Sequence, residues 1–107
     1  MIVVTARVRT SADKADALVA HTQVMCRASR EELGCIGYRF YADTEQPLHY
    51  VIVEEWRDDA ALQKHFTEPH TAMFMAGIPD LIEGPADALF HTVASTRRLG
   101  PAGLEDA

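Results

Sequence analysis

The spacing of apolar side chains changes along the chain, and each change predicts a boundary between elements. From Ile2 to Arg9 the side chains alternate between two faces, which is the period of a β-strand. From Asp13 to about Leu33 apolar or small residues return every three or four positions, as on the buried face of a helix. Thr10-Ser11 offers a cap at the start of this helix, and Gly34 offers a natural stop.

Two strands are predicted after this helix, from Cys35 to Asp43 and from Leu48 to Trp56. Strand alternation puts three side chains of the first of these strands on one face: Ile36, Tyr38 and Phe40. It puts four side chains of the second on one face: Tyr50, Ile52, Glu54 and Trp56. Glu54 and its neighbour Glu55 therefore point in opposite directions, so only one of them can face a given pocket.

Prolines and a glycine divide the segment that follows the third strand. A short helix from Asp59 to Phe66 stops ahead of Pro69, because the residue before a proline is disfavoured in helical geometry. Pro69 is itself well placed to begin another helix. Gly77 and Pro79 interrupt that second helix, so we expect a broken helix or a lid.

A fourth strand from Ala86 to Thr96 completes the order strand, helix, strand, strand, helix, strand. This order predicts an α+β, ferredoxin-like fold over residues 1–97, with both helices on one face of a four-stranded antiparallel sheet. The other sheet face would stay bare, and apolar side chains on a bare face usually mark an interface. We therefore expect a homodimer formed through the sheet faces, and a flexible C-terminal tail over residues 98–107.

Length and charge exclude several classes of protein. The chain has 107 residues and a formal charge of -6, so it has room for one small domain and lacks the basic face that nucleic-acid binding needs. No apolar run approaches the length of a membrane span, and the chain begins as a strand, so we expect a cytoplasmic protein. Cys26 and Cys35 have neither disulfide-framework nor zinc-site spacing.

The stretch from Glu54 to His70 concentrates the side chains that can carry chemistry. His65 follows Leu62 by three positions on one helical face, so its ring should point towards the sheet. An imidazole exchanges protons near neutral pH, so His65 is a candidate catalytic base and Glu54 a candidate group to orient it. The alternative is a core histidine hydrogen-bonded to Glu54 or to a backbone carbonyl.

The candidate substrate contacts are mainly aromatic: Trp56, Tyr38, His70, Phe74, Phe66 and Met73. The aromatic residues either form the core or stack on a planar substrate, and methionines commonly fill core gaps. His65, His70 and Glu54 have the composition of a two-histidine, one-carboxylate iron site. We predict no metal, because the histidines are not one helical turn apart and Pro69 lies between them.

Short motifs in a fixed order carry a resemblance to a known family: Glu32-Leu33-Gly34-Cys35, Gly37-Tyr38, Glu54-Glu55-Trp56, Ala61-Leu62, His65 and Pro69-His70. From Ile2 to Ser95 the chain resembles the antibiotic biosynthesis monooxygenase superfamily. Its members are dimeric α+β barrel proteins that include small quinol monooxygenases and the autoinducer-2 phosphate isomerase. The haem-degrading branch carries a tryptophan at the position of His65 and a histidine near Met75, so the resemblance does not imply haem.

The resemblance implies a cofactor-independent monooxygenase that uses dioxygen to oxidise a quinol, an anthrone or a similar electron-rich aromatic substrate. His65 would be the base and Glu54 its orienting group. Two alternatives stay open, because one fold serves many functions. One is an isomerase or tautomerase of a small, possibly phosphorylated dicarbonyl compound, and the other is a dimeric binding module without catalysis.

Overall fold

The computed structural model describes residues 1–107 and contains ten regular elements. In chain order the strands and helices are β1 Ile2–Arg9, α1 Ala15–Arg30, β2 Cys35–Ala42, β3 His49–Trp56, α2 Asp59–His65, α3 Pro69–Gly77, a 3₁₀ turn at Ile78–Asp80, β4 Asp87–Thr92, β5 Arg97–Gly100 and β6 Gly103–Asp106.

The main sheet has four strands in the order β2-β3-β1-β4, and every neighbouring pair is antiparallel. At its centre Val4 lies opposite Glu54 on one side and Phe90 on the other. Three α-helices accompany this sheet. The predicted ferredoxin-like α+β fold is therefore confirmed. Its two central strands, β3 and β1, are direct neighbours in the sheet.

The core lies between the helices and one face of the sheet. The alternation predicted for β3 is confirmed, since Ile52, Glu54 and Trp56 are all buried. Helix α1 contributes Leu18 and Met25 from its buried face. The interruption predicted at Gly77 and Pro79 is also confirmed, because α3 ends there and a 3₁₀ turn follows.

Strand β2 departs from the predicted alternation at Ile36. Tyr38 is buried and Phe40 packs against the core, but Ile36 is 58% exposed. The register of β2 against β3 shifts between Cys35 and Gly37, so the strand contains one extra residue. A β-bulge of this kind redirects a side chain, and here it places Cys35 rather than Ile36 beside Trp56.

Helix α1 is shorter than predicted at both ends. Thr10 and Ser11 do not cap it, since the Thr10 hydroxyl donates to the carbonyl of Leu81 and that of Ser11 to the Asp13 carboxylate. The helix ends at Arg30, and Leu33 is 83% exposed in the turn that follows. This turn, rather than a last helical turn, carries the chain into β2.

The predicted flexible tail is a β-hairpin in the structure. Strands β5 and β6 pair antiparallel, with Leu99 opposite Leu104 across a turn at Pro101-Ala102. The fourth strand of the main sheet ends at Thr92, four residues earlier than expected. Both leucines of the hairpin are exposed, so the hairpin adds little to the core.

The sheet face that points away from the helices carries an apolar strip. Val3, Val51 and Val53 lie on it and are half-buried by neighbouring side chains of the same face. No helix of this chain covers them. None of the helices combines the length and the apolar composition that a membrane-spanning helix requires.

Gly34 allows the turn after α1 to approach α2. Its φ is +91°, its carbonyl accepts the backbone N–H of Arg57 at 2.8 Å, and an added Cβ would lie 2.7 Å from the Cβ of Ala61. A side chain there meets both an unfavourable backbone conformation and a steric overlap. This close approach brings the α1–β2 turn next to the helix that carries His65.

We expect Gly34→Ala to lower the free energy of unfolding by roughly 2–5 kcal/mol, the sum of left-handed strain and overpacking. The matched control is Gly84→Ala, where φ is +69° but the nearest atom to an added Cβ is 3.5 Å away. This control should cost only about 1–2 kcal/mol. Urea unfolding of both variants measures the difference, and equal losses would contradict a steric role for Gly34.

Candidate functional site

One carboxylate oxygen joins the two histidines of the candidate site. Oε2 of Glu32 lies 2.6 Å from Nδ1 of His65 and 2.8 Å from Nε2 of His70. An ionised carboxylate only accepts hydrogen bonds, so both ring nitrogens donate to it. In its neutral form His65 then carries its proton on Nδ1, which leaves Nε2 with a free lone pair.

Three separate segments position this cluster. Glu32 comes from the turn between α1 and β2, which Gly34 holds against the start of α2. Asp58 caps the start of helix α2, since its side chain accepts the N–H of Ala61 at 2.8 Å, and His65 lies in the last turn of this helix. Helix α3 begins with Pro69, so His70 occupies its first turn.

The ring of His65 is enclosed by aromatic side chains. Its centroid lies 4.5 Å from that of Trp56 and 5.7 Å from that of Tyr38, and the side chain is 3% exposed. The hydroxyl of Thr71 donates to the His65 carbonyl at 2.7 Å and fixes the end of α2. No side-chain hydrogen bond involves Nε2 of His65.

Glu54 does not orient His65, in contrast to the prediction. Its Oε1 accepts the indole N–H of Trp56 at 2.9 Å, while the imidazole is held by Glu32. Burial raises the pKa of Glu54, and the Trp56 hydrogen bond and the charge of His65 only partly oppose that rise. The charge of Glu54 still acts on His65 from nearby, although the two side chains share no hydrogen bond.

The predicted substrate contacts separate into two groups. Trp56, Tyr38 and Phe74 are core residues with at most 8% exposure, and Phe74 stacks on His21 rather than on His65. Burial raises the pKa of Tyr38, so its hydroxyl stays protonated and can donate. Phe66 and Met73 are exposed, and only Phe66 stays near the cluster, with its ring 6.0 Å from that of His65.

Two clefts of the chain lie near the cluster. A cleft of about 310 Å³ is bordered by Glu32 and His70. Another, of about 270 Å³, lies between α2 and β4, and its walls include Leu62, Phe66 and Phe90. None of the four main clefts is lined by His65 itself.

The sequence matches an established protein family. The sequence model of the antibiotic biosynthesis monooxygenase family aligns with residues 1–77, which include Glu32, His65 and His70. The chain belongs to this family. The matched region therefore contains every member of the hydrogen-bonded cluster.

Individual proteins are similar to this chain over most of its length. The uncharacterised protein sll1783 of Synechocystis sp. strain PCC 6803 is 36% identical over 98 residues, covering 92% of this chain and 67% of that protein. YcnE of Bacillus subtilis strain 168, whose name proposes a monooxygenase, is 27% identical over 83% of this chain and 94% of its own length. The structure of Rv0793 from Mycobacterium tuberculosis superposes with a TM-score of 0.83, at 26% identity, covering 89% of this chain and 96% of that one.

Glu32 is the site residue that the residue-by-residue reasoning missed, although it begins one of the motifs that carry the family resemblance. It lies 33 residues before His65, so no helical or strand period links the two. The sheet register contains the missing signal, because Cys35 pairs with Trp56 and so places the turn before β2 next to the start of α2. The sequence feature that indicates this role is an acidic residue, Glu32, two positions before the glycine of the turn.

We expect Glu54→Gln to stabilise the protein at neutral pH while keeping an acceptor for the Trp56 N–H. The folded-state pKa of Glu54 is raised above its ordinary value of 4.5, so wild-type stability from this group is complete below pH 4.5. This contribution to stability is lost as the pH rises through the raised pKa of Glu54 in the folded protein. Thermal unfolding from pH 4 to 8 should show a stabilisation of the variant that grows with pH, and a gap that shrinks with pH would contradict this.

Proposed function

We propose that this protein is a cofactor-independent monooxygenase of electron-rich aromatic compounds of the quinol or anthrone type. Membership of the monooxygenase family supports the reaction class. The single observation that supports the mechanism is the orientation of His65, with Nδ1 held by Glu32 and Nε2 free of side-chain hydrogen bonds. A carboxylate that fixes an imidazole in this way prepares its other nitrogen to accept a proton.

The first chemical step is removal of the acidic proton of the substrate by Nε2 of His65. The resulting anion is a better electron donor than the neutral molecule and gives one electron to dioxygen, which forms superoxide and a substrate radical. These combine into a carbon–oxygen bond, and a peroxide is formed. For an anthrone CH₂ group, loss of water from the peroxide leaves one oxygen atom in a carbonyl group and the other in water, so the reaction requires no external reductant.

Glu32 and His70 are proposed to stabilise the charge that His65 acquires. A protonated His65 beside the Glu32 carboxylate forms a charge-assisted hydrogen bond, which is stronger than its neutral counterpart. His70 shares the same oxygen at 2.8 Å and borders the cleft of about 310 Å³. The pair provides a route by which the proton can leave towards solvent.

The aromatic substrate is proposed to approach through the cleft between α2 and β4. The rings of Phe66 and Phe90 pack edge to face there, with centroids 6.0 Å apart, and Leu62 adds an apolar wall. Phe66 directly follows His65 and is 50% exposed, so it can turn aside without disturbing the core. Apolar walls favour a planar hydrocarbon skeleton over a charged one.

An isomerase of a small dicarbonyl compound is the second candidate. The Glu32 oxygen shared by His65 and His70 would suit it, because such a shuttle removes a proton at one carbon and returns it at the next. This reaction consumes no oxygen. Turnover of a dicarbonyl substrate under nitrogen therefore separates it from the monooxygenase.

A homodimer through the open sheet face is proposed as the working assembly. The apolar strip on this face is bordered by the cations Arg7 and Arg39 and by the anion Glu55. A two-fold axis through the strip would let one face cover its own copy, with opposite charges available at the rim. Covering the strip would also remove an apolar patch from water.

We expect His65→Asn to reduce oxygen consumption with menadiol or an anthrone by about 10²–10⁴-fold, the usual contribution of a general base. Glu32→Gln should cause a smaller loss in kcat, because Gln retains an acceptor for one imidazole but not the negative charge. An oxygen electrode measures both rates, and circular dichroism checks the fold.

His49→Ala is the matched control, since His49 lies at the opposite end of β3 from Trp56. It should keep the wild-type rate. Undiminished oxygen uptake by a folded His65→Asn protein would remove His65 from the mechanism. Absence of turnover in the wild-type protein with every quinol and anthrone would favour the binding-module alternative.

We expect Val53→Lys to convert a dimer into a folded monomer, because it places a buried charge at the centre of the proposed interface. Light scattering after size-exclusion chromatography gives the mass. The control is Leu33→Lys, at an 83% exposed position on the helix side, which should leave the mass unchanged. A wild-type protein that is monomeric at micromolar concentration would refute the assembly.

A further inference from the structure

We propose that Glu32, His65 and His70 form a binding site for one divalent transition-metal ion of the zinc, cobalt or iron(II) type. Their ligand-type atoms, Oε2, Nδ1 and Nε2, all lie within 4.8 Å of one another. Two imidazoles and one carboxylate are the donor set that such borderline ions select. The prediction from the sequence was no metal, with Glu54 as the only carboxylate considered for such a site, whereas the structure brings Glu32 to both histidines.

The two ring nitrogens already point at one region of space. They approach the same carboxylate oxygen to 2.6 Å and 2.8 Å. When an ion binds, each imidazole moves its proton to its other ring nitrogen, so Nδ1 of His65 and Nε2 of His70 present lone pairs to the ion. Ligand atoms around a tetrahedral zinc ion lie roughly 3.3 Å apart, given bonds of about 2.0–2.1 Å. Oε2 of Glu32 would have to move away from each nitrogen by roughly 0.5–0.7 Å, and the two nitrogens would have to settle at about 3.3 Å from each other.

The positions of the imidazoles are set by packing rather than by the carboxylate alone. His65 is 3% exposed and lies between Trp56 and Thr71, and His70 is held in the first turn of α3. Ligands on fixed helices lose little conformational entropy when an ion binds. The chain therefore offers two nitrogens on packed helices and one oxygen on an adaptable side chain.

An acidic cleft leads to the cluster. Glu32 and His70 border it together with Glu31 and Glu68, against one cation, Lys64. The ammonium of Lys64 is paired with Glu68 at 3.0 Å, so the lining keeps a negative excess. A negative lining draws cations from solution and gives a metal ion its access route.

Metal binding should inhibit the proposed oxygenase activity, and this expectation rests on the function proposed above. The ion would take the Nδ1 position of His65 and the Glu32 charge, so the carboxylate could no longer stabilise a protonated imidazole. The binding itself does not rest on that function and can be measured on the resting protein.

The test uses the full chain after dialysis against EDTA and then against metal-free buffer. Cobalt(II) is added with visible absorption as the readout, and zinc(II) binding is measured by calorimetry. We expect one equivalent per chain, and losses of affinity beyond the roughly 10–100-fold that follow removal of a mere supporting residue for His70→Ala and Glu32→Gln. His49→Ala is the control and should bind as the wild type does.

Absence of saturable cobalt binding by the wild-type chain, or equal affinity of a folded His70→Ala protein, would overturn the metal site. Oxygen uptake is then compared in EDTA-treated and zinc-loaded protein. Metal binding with unchanged uptake would uphold the metal site and reject His65 as the base. Uptake that requires the metal would also uphold the metal site and reject the cofactor-independent mechanism.

Discussion

The hydrogen bonds of the Glu32 carboxylate tie together three segments that are otherwise far apart in sequence. The carboxylate is 9% exposed, and burying an unpaired charge to that degree would be costly. Two imidazole donors on one oxygen offset that cost and fix the end of α2 and the start of α3 relative to the α1–β2 turn. The same two hydrogen bonds therefore fix the geometry of the site and hold α2 and α3 next to the α1–β2 turn.

This contact is possible only because two backbones approach closely. Gly34 has no side chain where Ala61 packs, so the turn that carries Glu32 can lie against α2. The β-bulge at Ile36 then realigns β2, so that Cys35 and Tyr38 both face the core beside Trp56. A local irregularity in the strand thus supplies part of the wall around His65.

Periodic patterns predicted the elements of this fold well, because burial imposes those periods. The buried face of β3, the helix start at Pro69 and the inward direction of His65 all followed from spacing or from proline stereochemistry. The bulge at Ile36 could not be foreseen in that way, since one extra residue reverses the alternation. The β5–β6 hairpin was missed because its Gly-Pro-Ala-Gly turn was interpreted as disorder.

The partner of His65 was harder to predict than its orientation. Glu54 shares the correct sheet face, but its carboxylate is bound by the indole two residues away. Glu32 belongs to a turn without any period, and its proximity depends on strand pairing and on a close contact between backbones. Long-range hydrogen bonds between loop residues and helix ends are tertiary properties, which a pattern within one segment does not encode.

The only tryptophan of the chain lies within this arrangement, 0% exposed and with its ring 4.5 Å from that of His65. A positively charged imidazole beside an indole interacts with its π-system and quenches its fluorescence. The fluorescence emission of Trp56 is consequently an intrinsic reporter of the charge on His65. Events at the cluster can thus be followed in the unlabelled protein in real time.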